Sequence, residues 1–150
     1  LDKTFQQTRY FFFAERNFHL KGNHYFNVKA ESAMLDSDGE ITTNELFRIG
    51  GYNSLRGFNE QSLFTDFYAF GGVEYRYLVS NQAFFDVFGQ LANVRNSTLK
   101  TTSKLYSFGL GFNFLLPIGL MTFQISNGQE FGNPFRFQDT KIHWGIISKF

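Results

Sequence analysis

Arg56 sits in awkward company. It stands in FRIGGYNSLRGF (47–58), flanked by Leu55, Gly57 and Phe58, in a stretch too rich in glycine for a helix and too apolar for a solvated turn. A guanidinium desolvated alone costs several kcal/mol. Set against carboxylates, with its planar fork donating to their oxygens, it can be buried. The chemistry on offer is an electrostatic clasp, and the elements that carry its acids have to be found. Nothing reads as catalytic. His19, His24 and His143 lack metal-ligand spacing, and no Ser/His/Asp arrangement or phosphate-cradling glycine loop is present. The chain is expected to be no enzyme and to use no cofactor.

A second constellation imitates a metal site. In MLDSDGEITTNEL (34–46), Asp36, Asp38, Gly39, Ile41 and Glu45 fall at the offsets of a calcium-binding EF-hand loop. The first ligand position holds Met34, however. Residues 24–35 alternate as a strand does, and no helix follows. We read this segment as an acidic loop without a metal.

Composition narrows the classes. With 150 residues the chain is at most one domain, or a piece of one, and the absence of cysteine rules out a disulfide framework or thiolate metal site. A net charge of +1 argues against a nucleic-acid partner. No run approaches the ~20 apolar residues of a spanning helix. Yet 20% of residues are aromatic, 22 of them Phe, while the mean hydropathy is −0.24. Apolar and polar residues must be interleaved.

They are interleaved with a period of two. Tyr106, Phe108, Leu110, Phe112, Phe114 and Leu116 share one parity, against Leu105, Ser107, Gly109, Gly111, Asn113 and Leu115. Val73, Tyr75, Tyr77 and Val79 oppose Gly72, Glu74 and Arg76. Phe26, Val28, Ala30 and Met34 oppose Asn27, Lys29 and Glu31. Ile142, Trp144, Ile146 and Phe150 oppose Lys141, His143, Gly145 and Lys149. Seven strands are predicted, near 3–15, 23–35, 67–79, 83–94, 104–116, 119–128 and 140–150. Short turns at 16–22, 80–82 and 116–119 alternate with longer polar connections at 36–66, 95–103 and 129–139. Strands of this pattern and loop asymmetry predict an all-β, transmembrane antiparallel β-barrel. A soluble sandwich or lipocalin-like barrel alternates too, but its outer face is charged; here the polar face is Gly, Ser, Asn and scattered charges, and only 18% of residues are charged. The same count puts Glu74, Arg76 and Asp86 on the lumen face.

FRIGGYNSLRGF, the GGVEYRYL of 71–78 and the closing KIHWGIISKF resemble the C-terminal half of the BamA/TamA family of outer-membrane assembly proteins, the bacterial surface antigen family. The resemblance implies a sixteen-stranded barrel of which residues 1–150 are the last seven strands. It also implies that the loop at about 36–66 is extracellular and folds back into the lumen. There Arg56, Gly57 and Phe58 would meet the inner wall at Glu74, Arg76 and Asp86. One departure stands out, since the family's glycine two residues after the aspartate is here Phe88, with Gly89 one place late. At the C-terminus, His143, Gly145 and Phe150 fit the pattern that the assembly machinery reads; Ser148 departs from it.

The function implied is insertion of outer-membrane proteins by strand templating at the barrel seam, with Lys141–Phe150 as one side. Alternatives are a barrel that anchors a lipase-like domain or exports a passenger, a compact self-associating member, and a passive pore. Implied partners are the lipid bilayer, the remaining barrel strands (from an upstream segment or a second chain), unfolded outer-membrane proteins and accessory lipoproteins. The implied location is the outer membrane of a Gram-negative bacterium.

Overall fold

A computed structural model describes residues 5–148. Among them, β1 (Gln7–Lys21), β2 (His24–Ser37), β5 (Phe67–Ser80), β6 (Ala83–Asn96), β7 (Thr101–Leu116), β8 (Gly119–Glu130) and β9 (Lys141–Ile147) form one antiparallel sheet in that order. A small hairpin, β3 (Phe47–Ile49) and β4 (Leu63–Thr65), lies within the connection from β2 to β5. Among the described residues the chain is all-β, with one short 3-10 turn at Phe137–Asp139.

Alternation decides which way each side chain points. One face exposes Val73, Tyr75, Val87, Leu91, Phe108, Leu110, Phe112, Ile142 and Trp144, the last 74% exposed. The opposite, concave face buries Asn27, Glu74, Asp86, Gln90, Ser107, Asn113 and Gln124, the last only 1% exposed. Apolar residues outside and polar ones inside reverse the arrangement of a water-soluble sandwich, whose core is apolar. The sheet is open. Its edges are β1 and β9, and these do not pair with each other among the described residues.

The structure corrects several sequence expectations. β1 runs to Lys21 rather than ending near residue 15, because its whole length pairs with β2, from Gln7 opposite Ser37 to Lys21 opposite His24. The first turn is therefore only Gly22 and Asn23, with Gly22 at φ 58°. The connection expected at 95–103 shrinks to residues 97–100, since the β6–β7 ladder continues to Asn96 and Thr101.

The inner face is also not polar throughout. Towards the long-loop end its residues turn apolar, and Ala33, Tyr68, Phe70, Ala92 and Leu105 cluster around Ile49 and Leu55 from the β2–β5 loop. Phe47, Phe58, Leu63 and Val94 pack against this cluster. Leu55 is completely buried, a contribution of roughly 1.5–3 kcal/mol. That apolar plug draws the loop into the concavity and brings Arg56 to the wall.

Candidate functional site

The site lies along two neighbouring rungs of the sheet. On one, Asn27, Glu74, Phe88, Gly109 and Ser126 stand side by side across β2, β5, β6, β7 and β8. On the next, towards the loops, come Gly72, Gln90 and Ser107. Directly paired residues point to the same face, so both rungs present their side chains inward.

Arg56 reaches the first rung with its side chain and the second with its backbone. Its Nη1 donates to Glu74 Oε2 at 2.6 Å, and the two side chains are only 14% and 8% exposed. Glu74 Oε1 accepts from Arg76 Nε, so one carboxylate bridges two guanidinium groups. The Arg56 guanidinium carbon lies 3.5 Å from the centre of the Phe88 ring, within cation–π range. Gln90 holds the loop backbone. Its Oε1 accepts the Arg56 N–H at 2.8 Å, and its Nε2 donates to the Ser54 carbonyl at 3.2 Å.

Glycines opposite these side chains make room for them. A Cβ at Gly109 would overlap the Phe88 ring, one at Gly72 would overlap Gln90, and one at Gly111 would overlap the Asp86 carboxylate. The loop uses the same device. Gly57, at φ 89°, presses against the backbone of Asn127 and Gly128, and a Cβ at Gly128 would strike the Phe58 ring.

Of the residues singled out from sequence, Arg56, Glu74 and Arg76 come together, and Gly57 and Phe58 pack against β8. Asp86 shares the inner face but makes no ion pair with Arg56 among the described residues. Its Oδ2 instead accepts from Asn113 Nδ2. The structural reason is Phe88, whose ring stands on the rung between Asp86 and Gln90 and meets the guanidinium first.

His143 and Gly145 lie in β9, opposite Gln124 and Thr122. Phe150 lies outside the described residues. In the acidic loop, Asp36 is still part of β2, opposite Thr8. Glu45 accepts from the Thr42 N–H at 2.7 Å, the Thr42 hydroxyl at 2.8 Å and Gln7 Nε2 at 2.7 Å. No three acidic or histidine side chains converge on a metal-sized gap among the described residues.

A second clasp was not anticipated. Asp66, 1% exposed, ends the long loop, and its Oδ2 accepts from Arg95 Nε at 2.9 Å and Nη2 at 2.8 Å. The Ser97 hydroxyl donates to the same oxygen at 3.0 Å, and the Ser97 N–H donates to Oδ1. Burial opposes ionisation of this carboxyl. The Ser97 N–H, the Arg95 guanidinium and the Ser97 hydroxyl outweigh it and hold the pKa below the ordinary carboxylate value. Beneath the loop, a cavity of about 540 Å³ is lined by both signs of charge, including Glu15, Lys29, Arg76 and Asp86.

Fold and site together define an antiparallel wall, greasy outside and polar over much of its inside, with a long loop pinned in its concavity. Residues 2–150 match the Omp85 superfamily domain, and the chain belongs to that superfamily. This is a family of the bacterial outer membrane whose members work in outer-membrane protein assembly or transport. No curated protein matches the chain.

Proposed function

We propose that residues 1–150 are the C-terminal seven strands of a BamA-type, sixteen-stranded barrel that crosses the outer membrane and inserts other outer-membrane proteins by templating their strands at the β9 edge. The observation that carries this reading is the buried Arg56–Glu74 pair on an inward-folded loop, inside a wall whose exposed face is aromatic and aliphatic. An open edge cannot sit in hydrocarbon with its backbone groups unpaired, so further strands must complete the ring.

Strand parity supports an upstream source for them. β1 and β9 are the first and seventh strands of an antiparallel order and run in the same direction. A second copy in the same orientation would therefore meet β1 with a parallel β9. Antiparallel closure needs an odd number of added strands, as nine would be. Clients are then unfolded outer-membrane proteins, with accessory lipoproteins as co-workers.

A second reading, passenger export through the lumen, is favoured by the charge-lined cavity beneath the loop. Depletion of the full-length protein, complemented by wild type or by a variant with Ile142 and Ile146 both changed to Pro to block β9 pairing, separates the two. Assembly predicts a general fall in folded outer-membrane proteins that the variant does not repair. Normal levels of those proteins, with one secreted passenger lost, would sink the assembly reading and favour export.

A further inference from the structure

The connection from β8 to β9, residues 131–140, does not stand up into solvent above the wall. It folds down over the outer face of β7 and β8. Phe131 packs edge-on against Tyr106 with centroids 5.2 Å apart, and Phe135 stacks on Phe108 at 6.0 Å. Tyr106 and Phe108 belong to the outward parity of β7.

Beneath this segment lie two side chains that break the outer pattern. Asn127 and Gln129 pair in register with Phe108 and Tyr106, so they point outward, into the apolar band. An amide aimed at hydrocarbon needs a partner. The folded segment supplies it. Asn127 Nδ2 donates to the Arg136 carbonyl at 3.0 Å and reaches Thr140 Oγ1 at 3.2 Å, and Gln129 Nε2 donates to Asp139 Oδ2 at 2.9 Å. The two residues are 3% and 7% exposed.

Beyond these contacts the segment keeps much aromatic surface open. Phe131, Phe135 and Phe137 are 54%, 52% and 80% exposed, and the exposed Arg136, 3.1 Å from Asp139, stands among them. Aromatic rings with a neighbouring cation suit the boundary between acyl chains and phosphate headgroups.

We propose that residues 131–140 form an interfacial apron. It caps the outward amides of Asn127 and Gln129 and embeds Phe131, Phe135 and Phe137 in the acyl–headgroup boundary of the loop-side leaflet. The occupant of this surface is lipid. The inference rests on the membrane-spanning reading above, and its test keeps the two apart.

Trp144, the one tryptophan of this sequence, sits on the outward face of β9 and reports the wall itself. Full-length protein, with any further tryptophan changed to Phe, is reconstituted in phosphatidylcholine–phosphatidylglycerol vesicles whose acyl chains carry bromine at shallow or deep positions. A double variant, Trp144→Phe with Phe137→Trp, moves the fluorophore to the apron. In it, shallow bromines should quench the emission at least twofold more than deep ones, and aqueous iodide should quench it little. Iodide quenching of the double variant without bromine quenching, while Trp144 in the parent protein remains bromine-quenched, would overturn the apron and leave the spanning wall intact. Loss of bromine quenching in both proteins would overturn both.

Discussion

The Arg56 guanidinium lies across the face of Phe88 rather than against the carboxylate of Asp86, although both are inward residues of β6 two positions apart. The charge is held by one carboxylate, Glu74, and one aromatic ring. A desolvated cation–π contact contributes about 2 kcal/mol, and volume alone cannot replace it. Phe88→Tyr should therefore keep the loop closed, whereas Phe88→Leu should raise protease cleavage within 47–63 several-fold in barrels that remain heat-modifiable on gels. Equal cleavage of the two variants would mean that the ring acts only as filler.

Removing the cation is a harsher change. Arg56→Ala leaves Glu74 with Arg76 alone and takes away the Phe88 contact, at a cost of about 2–4 kcal/mol. Arg56→Lys keeps the charge without the planar fork and should cost about 1 kcal/mol. The midpoint of heat-induced mobility change in detergent should fall in the order wild type, lysine, alanine. A wild-type midpoint and cleavage pattern for Arg56→Ala would count against the loop's being pinned at all.

Gly57 offers a test that leaves charge untouched. Its φ of 89° and its contact with the Asn127–Gly128 backbone leave no space for a Cβ. Gly57→Ala should lift the loop from β8 at a cost of about 1–3 kcal/mol. Cleavage at the loop should rise as it does for Arg56→Ala.

Acid should weaken the Asp66 clasp. Asp66 has a folded-state pKa below its ordinary 3.8, so its contribution is complete above that value and is lost as the pH falls through the lower folded one. Asp66→Asn should cost about 1–2 kcal/mol at pH 7, modest because the Arg95 side chain is 45% exposed. As the pH drops below that ordinary value, the gap between variant and wild type should close. A gap that stays constant through the whole acid titration would show that the clasp is not acid-sensitive.

Period-two alternation made the seven long strands, their two faces and the unequal connections readable, because a one-residue error would turn every aromatic inward. The shared face of Glu74, Arg76 and Asp86 followed from the same count. Pairwise geometry was hidden. That Phe88 would intercept the guanidinium depends on the empty space at Gly109, two strands' worth of sequence away from Arg56. Gln90 is an ordinary inward polar residue until Ser54 and Arg56 are set beside it. The Asp66–Arg95 clasp joins a loop end to the far end of the next hairpin, which no local motif encodes. The short β3–β4 pairing was missed because three-residue strands carry no period to detect. A usable signal did exist for the sockets, since Gly72, Gly109 and Gly111 are all inward positions where side chains would be expected.

Because acid, ring and gap share a rung, the loop fits only a wall built in this register. A two-residue slip of β6 along β5 would keep every aromatic on its proper side, so oil and water could not detect the mistake. It would nonetheless set Glu74 opposite Asp86 or Gln90 and withdraw the seat from under the cation. A misaligned sheet would find its own plug unable to dock.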